Sequence, residues 1–286
     1  MSFYRSFLKN QRTTPAALVT AALSGTLGVF AFRRFLTGEA HAEAPRGFCP
    51  LQGQEQKQMS GFGRMGWGLT TLKLASVQTV SHNAKRLRFE LPENSSLASL
   101  PLTYDKGHYI ELLVKKYPNG RASSHLHSLR PGDTLSVVGP IRGYSWKPNE
   151  CPQVNLIAGG AGITPMFQLI QGILNNDEET TKVKLIYGAN TEEDLLLKDE
   201  LAAFEHKFPD RFQAVYAVSN PSAGSLVKQG RITKELLKAE LIQGGKIFVC
   251  GPPAMEQSLI GNKGLLWGKT GVLQELGFSR RQIYKF

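Results

Sequence analysis

The run Val154-Asn155-Leu156-Ile157-Ala158 breaks into Gly159-Gly160-Ala161-Gly162-Ile163-Thr164-Pro165, and apolar residues then recur at Met166, Ile170, Ile173 and Leu174. An apolar run, a glycine cluster and a helical period in immediate succession describe a strand that turns directly into a helix. This junction constrains the fold, because a strand that exits into a crossover helix returns parallel to itself. Matching strand-like runs stand at 183–187, 212–218 and 246–250. Helices are expected over 165–174, after a capping box Thr191-Glu192-Glu193-Asp194 that leads to Leu195, Leu196, Leu201 and Phe204, and near Thr233. Thr164 suits an N-cap and Pro165 the first helical position, so the loop would offer free N–H groups at a positive helix end. A phosphate-bearing ligand fits there. A tight connection without a ligand is the plainer alternative, and the flanking strand and helix weigh against it.

Cys250-Gly251-Pro252-Pro253 closes the last of these strands and enters another helix. Ligands of open parallel sheets sit beyond the carboxyl ends of the strands, so this turn and the glycine loop should face one crevice. Cys250 could equally be an ordinary buried strand thiol. The earlier half reads differently, with alternating strand-like runs at 70–78, 86–91, 109–116 and 134–139 and turns at Pro118-Asn119-Gly120 and Pro131-Gly132-Asp133. That pattern suits a small antiparallel barrel, with the domain boundary near 148–152. Between its strands, Tyr117-Pro118-Asn119-Gly120-Arg121-Ala122-Ser123-Ser124-His125 turns into a short helix with Ser123 or Ser124 at the cap and Arg121 beside it. It is a second anion-shaped site, though a solvated turn has the same pattern.

Charge separates the remaining classes of function. The formal net charge is +11, from 34 Lys and Arg against 23 Asp and Glu. Five of those net positive charges, at Arg5, Lys9, Arg12, Arg33 and Arg34, precede the first acid, Glu39, which leaves +6 for the body. Residues 15–32 carry no charge; as a helix they would span ~27 Å, just short of a ~30 Å hydrocarbon core. An acid-free, Arg-rich start with an apolar stretch behind it reads as a mitochondrial presequence with an anchor. A secretory signal ending at Ala40-His41-Ala42 is the rival reading, and the Arg33-Arg34 pair argues against it. Residues 37–68 read as a flexible tether. In the body the positive charges are scattered among acids, which does not suit a nucleic-acid binder. Cys49, Cys151 and Cys250 show no paired spacing, and His125 with His127 lacks a third ligand, so neither a disulfide framework nor a metal site is expected.

These motifs together resemble the cytochrome b5 reductase branch of the ferredoxin reductase superfamily, in its fungal mitochondrial type. The resemblance runs from about Trp67 to Phe286 and includes Val114-Lys115-Lys116-Tyr117-Pro118-Asn119-Gly120, Ser124-His125-Leu126, Gly139-Pro140-Ile141, Pro209-Asp210-Arg211-Phe212 and Ile283-Tyr284-Lys285-Phe286. It implies an α/β plus all-β chain: a presequence and candidate transmembrane segment at 1–36, a tether at 37–68, an antiparallel FAD-binding β-barrel at 69–150, and a parallel-sheet NAD(H)-binding domain at 151–286. NADH would pass a hydride to FAD, which would release electrons singly to a cytochrome b5-like acidic haem protein. The location implied is the mitochondrial outer membrane or intermembrane space, with the endoplasmic reticulum membrane as the alternative. Thr164 and Cys250 would be catalytic. Gly120, Arg121 and Ser123 would belong to the segment that holds the FAD pyrophosphate, Thr164 would lie beside the flavin, and Gly159, Gly160 and Gly162 would border the nicotinamide nucleotide. Cys250, Gly251 and Pro252 would place the nicotinamide against the ring, and Lys115, Tyr117, Pro165, Pro253 and Met255 would complete the cofactor-binding set.

The sequence departs from that family in two places. The family carries an Arg-x-Tyr-Ser/Thr strand that grips the flavin, in the interval that residues 92–108 occupy here, and these 17 residues contain no such motif. Arg142-Gly143-Tyr144-Ser145 matches the pattern but follows Gly139-Pro140-Ile141, in another part of the domain. A truncated barrel with four readable strands is therefore expected, and with it a second possibility, a chain that binds pyridine nucleotide without flavin or reductase activity. The other departure is Ser219, where the family has an acid that binds the adenosine ribose, so discrimination against NADPH is expected to be weaker.

Overall fold

A computed structural model describes residues 68–91, 103–104, 109–139, 143–225, 227–261 and 270–286. The expected leader, anchor and tether lie outside the described residues. Among the described residues no helix is long and apolar enough to cross a membrane.

The first sheet is antiparallel. It contains β1 (Gly68–Ser81), β2 (Ala84–Glu90), β3 (Thr103–Tyr104), β4 (Tyr109–Lys115) and β5 (Thr134–Gly139), in the spatial order β3-β4-β2-β1-β5. Leu72 and Leu74 are buried while Thr71 and Lys73 between and beside them are exposed. That period of two is the reason this stretch forms a half-buried strand. Leu87 and Phe89 of β2, Ile110 of β4 and Leu135 of β5 meet the same side, and Leu126 and Leu129 close over them. Leu126 belongs to α1 (Arg121–Ser128) and Leu129 follows it. The four strands read from sequence are all present, and the short β3 is added to them, paired to β4 through Thr103 and Ile110.

The second sheet is parallel throughout. Its strands are β6 (Gln153–Gly159), β7 (Lys182–Ala189), β8 (Phe212–Val218), β9 (Lys228–Gln229), β10 (Lys246–Cys250) and β11 (Ile283–Lys285), in the order β11-β10-β6-β7-β8-β9. The connecting helices are α2 (Ile163–Leu174), α3 (Lys198–Lys207), α4 (Lys234–Glu240), α5 (Pro253–Ile260) and α6 (Val272–Glu275). Residues 154–158 of β6 are all buried, as a central strand covered on both faces requires. Leu156 and Ala158 face one core cluster and Ile157 the other.

Three expectations about helix starts are corrected. α2 begins at Ile163 with Gly162 as its N-cap, and the Thr164 hydroxyl, already inside the first turn, donates to the Ala161 carbonyl at 3.0 Å. The N-cap of α1 is Gly120, one turn before the serines, and the Ser123 hydroxyl reaches back to the Gly120 carbonyl at 3.1 Å. The Thr191 box closes only a single 3-10 turn, Glu192–Asp194. Its helix waits until Lys198, after Leu197 has taken a left-handed conformation at φ 61°. Three consecutive leucines, 195–197, are driven into the core there, and burying all three is incompatible with one continuous helical face. Thr233 does cap α4, accepting from the Leu236 N–H at 3.2 Å.

Candidate functional site

The strand order locates the site. From β6 the chain moves outward through β7, β8 and β9, then returns to lay β10 and β11 on the other side of β6. The crevice between the carboxyl ends of β6 and β10 is thus a topological switch point, the usual ligand position in such sheets. Both glycine-bearing turns end there, since Ala158 pairs with Cys250.

The two turns touch through their backbones. A Cβ on Gly162 would lie 2.2 Å from the Cys250 carbonyl oxygen. One on Gly159 would lie 2.8 Å from both the Met255 sulfur and Pro252 Cδ, and one on Gly251 only 2.4 Å from Met255 Cε. Gly162 is therefore required by packing against backbone, whereas at Gly159 and Gly251 the closest neighbours are side chains, Met255 among them, that would have to shift. Gly160 is different, with φ +53° and open space where its Cβ would stand. A left-handed backbone next to empty space at the start of α2 lets a ligand approach the main chain directly. α2 has no side-chain cap, so a bound anion can take its first-turn N–H groups. Pro165 and Met166 behind it are buried supports.

Tyr187 braces this loop from below. Its hydroxyl donates toward the carbonyls of Gly160 (3.1 Å) and Asp194 (3.3 Å) and accepts from the Leu196 N–H at 3.0 Å. Burial pushes its pKa well above the usual tyrosine range. Replacing Tyr187 by phenylalanine should cost about 1 kcal/mol in a urea titration, because the hydroxyl's bonds to the Gly160 and Asp194 carbonyls are lost while the Leu196 N–H keeps the Asp194 carbonyl as acceptor at 3.0 Å. Unchanged stability would refute the bracing role.

Asp194 joins the loop to the first sheet. Its carboxylate lies 2.6 Å from Lys115 Nζ at the end of β4, with Asn83 and Thr191 also bonded to it. Burial opposes ionisation there, but the Lys115 ammonium and the two added hydrogen bonds hold the carboxyl below its usual pKa. A second cross-sheet ion pair joins Arg86 and Glu200. Lys115 is therefore committed to Asp194, while Tyr117, two residues on, is half exposed.

The second anion-shaped element is borne by the same end of the first sheet. Asn119 turns with φ 60°, Gly120 opens α1 without a side-chain cap, and the Tyr117 N–H donates to the Ser123 hydroxyl at 3.2 Å. Arg121 is exposed at the first helical position. Tyr144 of the Arg142-Gly143-Tyr144-Ser145 pattern packs instead against Phe248 and Tyr284 of the parallel sheet, at centroid distances of 4.8 and 4.9 Å.

Cys250 is 8% exposed, and burial, reinforced by the nearby Glu256 carboxylate, pushes its thiol up to about 11. It is protonated at neutral pH and presents a small neutral wall rather than a nucleophile. Nothing in the sequence pattern singles out Tyr187, Asp194 or Glu256 as site residues. Asp194 stood in the capping pattern, but nothing local ties it to a lysine 79 residues away.

Among known families, the profile of the oxidoreductase NAD-binding domain matches residues 156–260 and that of the oxidoreductase FAD-binding domain matches 98–146. NADH-cytochrome b5 reductase 2 of Coccidioides immitis is 43% identical over 256 residues, covering 78% of each chain. The protein of that name from Emericella nidulans is 38% identical over 318 residues, covering 99% of this chain and 94% of the relative. Among solved structures, the cytochrome b5 reductase domain of Ulva prolifera nitrate reductase superposes with a TM-score of 0.67 at 27% identity, covering 76% of this chain and 97% of that one. The CS-b5R domains of human Ncb5or share the fold, with a TM-score of 0.60 at 22% identity, over 78% of this chain and 70% of that one.

Proposed function

Because the chain belongs to the NADH-cytochrome b5 reductase family, we propose that it passes electrons from NADH through FAD to cytochrome b5. The observation that carries this reading is the meeting of the Gly159–Gly162 and Cys250–Pro252 turns at the switch point, with Lys115 of the other sheet tied to the same side through Asp194. FAD, when bound, accepts the hydride of NADH and releases the two electrons one at a time to a haem acceptor.

The residues present fit both phosphate groups. The uncapped start of α1, with Arg121, Tyr117, Gly120 and Ser123, would hold the FAD pyrophosphate. Gly160 and the free N–H groups of the first turn of α2 would hold the NADH phosphates, with Pro165 as a buried support behind them. Cys250, Gly251, Pro252, Pro253 and Met255 would form the wall against which the nicotinamide seats, and Thr164 would lie beside the flavin. The protein's own part would be to hold the two cofactors in line with one another. The body's surplus of +6 suits an acidic haem protein. The purified chain supplied with FAD should reduce ferricyanide and cytochrome b5 with NADH. No NADH-dependent reduction at saturating FAD would overturn the assignment, and the flavin-deficient alternative would replace it.

The barrel lacks a strip beside the flavin ring. Two observations support this. Residues 92–108 hold no Arg-x-Tyr-Ser/Thr motif, and an alignment of 318 positions against a chain of 286 leaves at least 32 positions of the Emericella relative with no counterpart. Missing strands remove contacts to the ring and to one phosphate, while the uncapped start of α1 remains. FAD should therefore bind about tenfold more weakly than in a relative that has the strip, a loss of about 1.4 kcal/mol. A fluorescence-quenching titration measures it, and equal affinity would argue against a missing strip.

Coenzyme choice rests on the end of β8. Ser219 stands there half-buried, its N–H donating to the Ala189 carbonyl at 3.1 Å. Aspartate at 219 should raise the NADH-over-NADPH ratio of kcat/KM about tenfold, since a carboxylate bonds the ribose hydroxyls and repels a 2′-phosphate. An unchanged ratio would move the adenosine site elsewhere.

The leader directs the chain to a mitochondrial membrane, through the acid-free, Arg-rich start and the uncharged residues 15–32. Fractionation of cells expressing the full chain tests this, with recovery in endoplasmic reticulum membranes as the contrary result.

A further inference from the structure

Glu256 is 4% exposed, in the first turn of α5, immediately after the Cys250-Gly251-Pro252-Pro253 turn. One carboxylate oxygen accepts from the Gly251 N–H at 3.2 Å. The other lies 2.6 Å from the Lys285 ammonium on β11, at the distance of an ion pair but outside hydrogen-bond angles. Burying a carboxylate costs several kcal/mol unless it is compensated. Filling the same space with an apolar side chain carries no such cost, so packing alone does not account for an acid at this position.

The Gly251 N–H and the Cys250 carbonyl belong to one peptide group, planar and with its two polar ends pointing in opposite directions. The carboxylate takes the N–H end, and the carbonyl end faces Gly162, where a Cβ would come within 2.2 Å of the oxygen. A single peptide plane is therefore held between α5 on one side and the glycine loop on the other. Its orientation sets where the Cys250 side chain and Pro252 stand. Lys285, paired with Val249 across β10 and β11, anchors the carboxylate to the sheet.

We infer that Glu256, backed by Lys285, is a positioning residue that fixes the Cys250–Gly251 peptide plane and so the wall against which the nicotinamide seats. The inference rests on the reading of that crevice as the NADH site. Glu256 touches neither cofactor nor substrate; it acts through the peptide.

The test compares E256Q, E256L and K285M with the unmodified full chain saturated with FAD. Leucine removes the acceptor. Turnover with NADH and ferricyanide should fall about tenfold or more in kcat, with KM for NADH changed less than about threefold, because the phosphate contacts are elsewhere. Glutamine still accepts from Gly251 and should recover most of that loss. A second measurement needs no turnover: the alkylation rate of Cys250 at fixed pH, followed residue by residue by mass spectrometry. Glu256 raises the thiol pKa and Lys285 lowers it. E256Q should therefore alkylate faster than the unmodified chain and K285M slower, whereas simple loosening would speed both. Unaltered kcat in E256L, or alkylation that rises in both E256Q and K285M, overturns the proposal. Failure of NADH to protect Cys250 in the unmodified chain would overturn the crevice reading instead, and opposite shifts in E256Q and K285M would still support the clamp.

Discussion

Valine in place of Gly162 should lower NADH-dependent turnover about a hundredfold. Its Cβ would stand 2.2 Å from the Cys250 carbonyl oxygen, 2.5 Å from the carbonyl carbon and 2.9 Å from the Gly251 nitrogen, all backbone atoms with no rotamer to yield. Conformation is not the obstacle, since Gly162 sits at φ −64°, ψ −6°, open to any residue. The Cys-Gly-Pro-Pro turn must therefore move by about an ångström relative to α2, and misplacement on that scale costs on the order of 10² in rate. Overpacking adds about 1–3 kcal/mol of lost stability. Gly172 supplies the control, being in the same helix with nothing within 4 Å of its Cβ position. Alanine there should leave turnover intact and stabilise slightly, by up to about 1 kcal/mol. Steady-state rates and urea titrations on both variants decide the matter; a Gly162→Val protein within threefold of the unmodified rate would show that the two turns need not touch.

The second large effect is expected at Asp194. Alanine there strands the Lys115 ammonium, 15% exposed, opposite a carboxylate site that is 8% exposed. Breaking a buried pair by removing one partner costs about 3–5 kcal/mol. The pH dependence has a definite sign. The carboxyl titrates below its ordinary value of 3.8 in the folded protein. Its contribution is thus present above the unfolded pKa and is lost as the pH falls through the lower, folded value. The difference between the unmodified chain and Asp194→Asn should be largest near neutrality and shrink below about pH 4. Denaturant titrations at pH 7, 5 and 3 measure it. A constant difference across that range would mean that the charge contributes nothing and only the hydrogen bonds do.

The parallel sheet and its glycine loop were legible because their cause is local: an apolar run, glycines where backbones approach, and a helical period follow one another within twenty residues. The antiparallel strands were legible through the two-residue alternation around Leu72 and Leu74. The helix starts were less so. Thr164 and Thr191 have the chemistry of caps, but Gly162 and Leu197 occupy the cap positions, because contact with Cys250 and burial of residues 195–197 decide the backbone there. Within the site, Gly160 and Cys250 were readable as residues in a motif. The Lys115–Asp194 pair was not, since ion pairs between sheets leave no pattern along the chain. Glu256 reads in sequence as an ordinary acid in the first turn of a helix, and only the fold brings Lys285 to it.

The turn between β1 and β2 has one more consequence. Ala84, at the start of β2, is 1% exposed and belongs to the same buried cluster as Val154, Leu156 and Phe248 of the parallel sheet. Arg86 and Lys115 flank it with their cross-sheet ion pairs. The antiparallel sheet thus drives a wedge into its neighbour's core, and the two halves are not free bodies on a hinge. Parting them would expose that wedge to water and separate both ion pairs together.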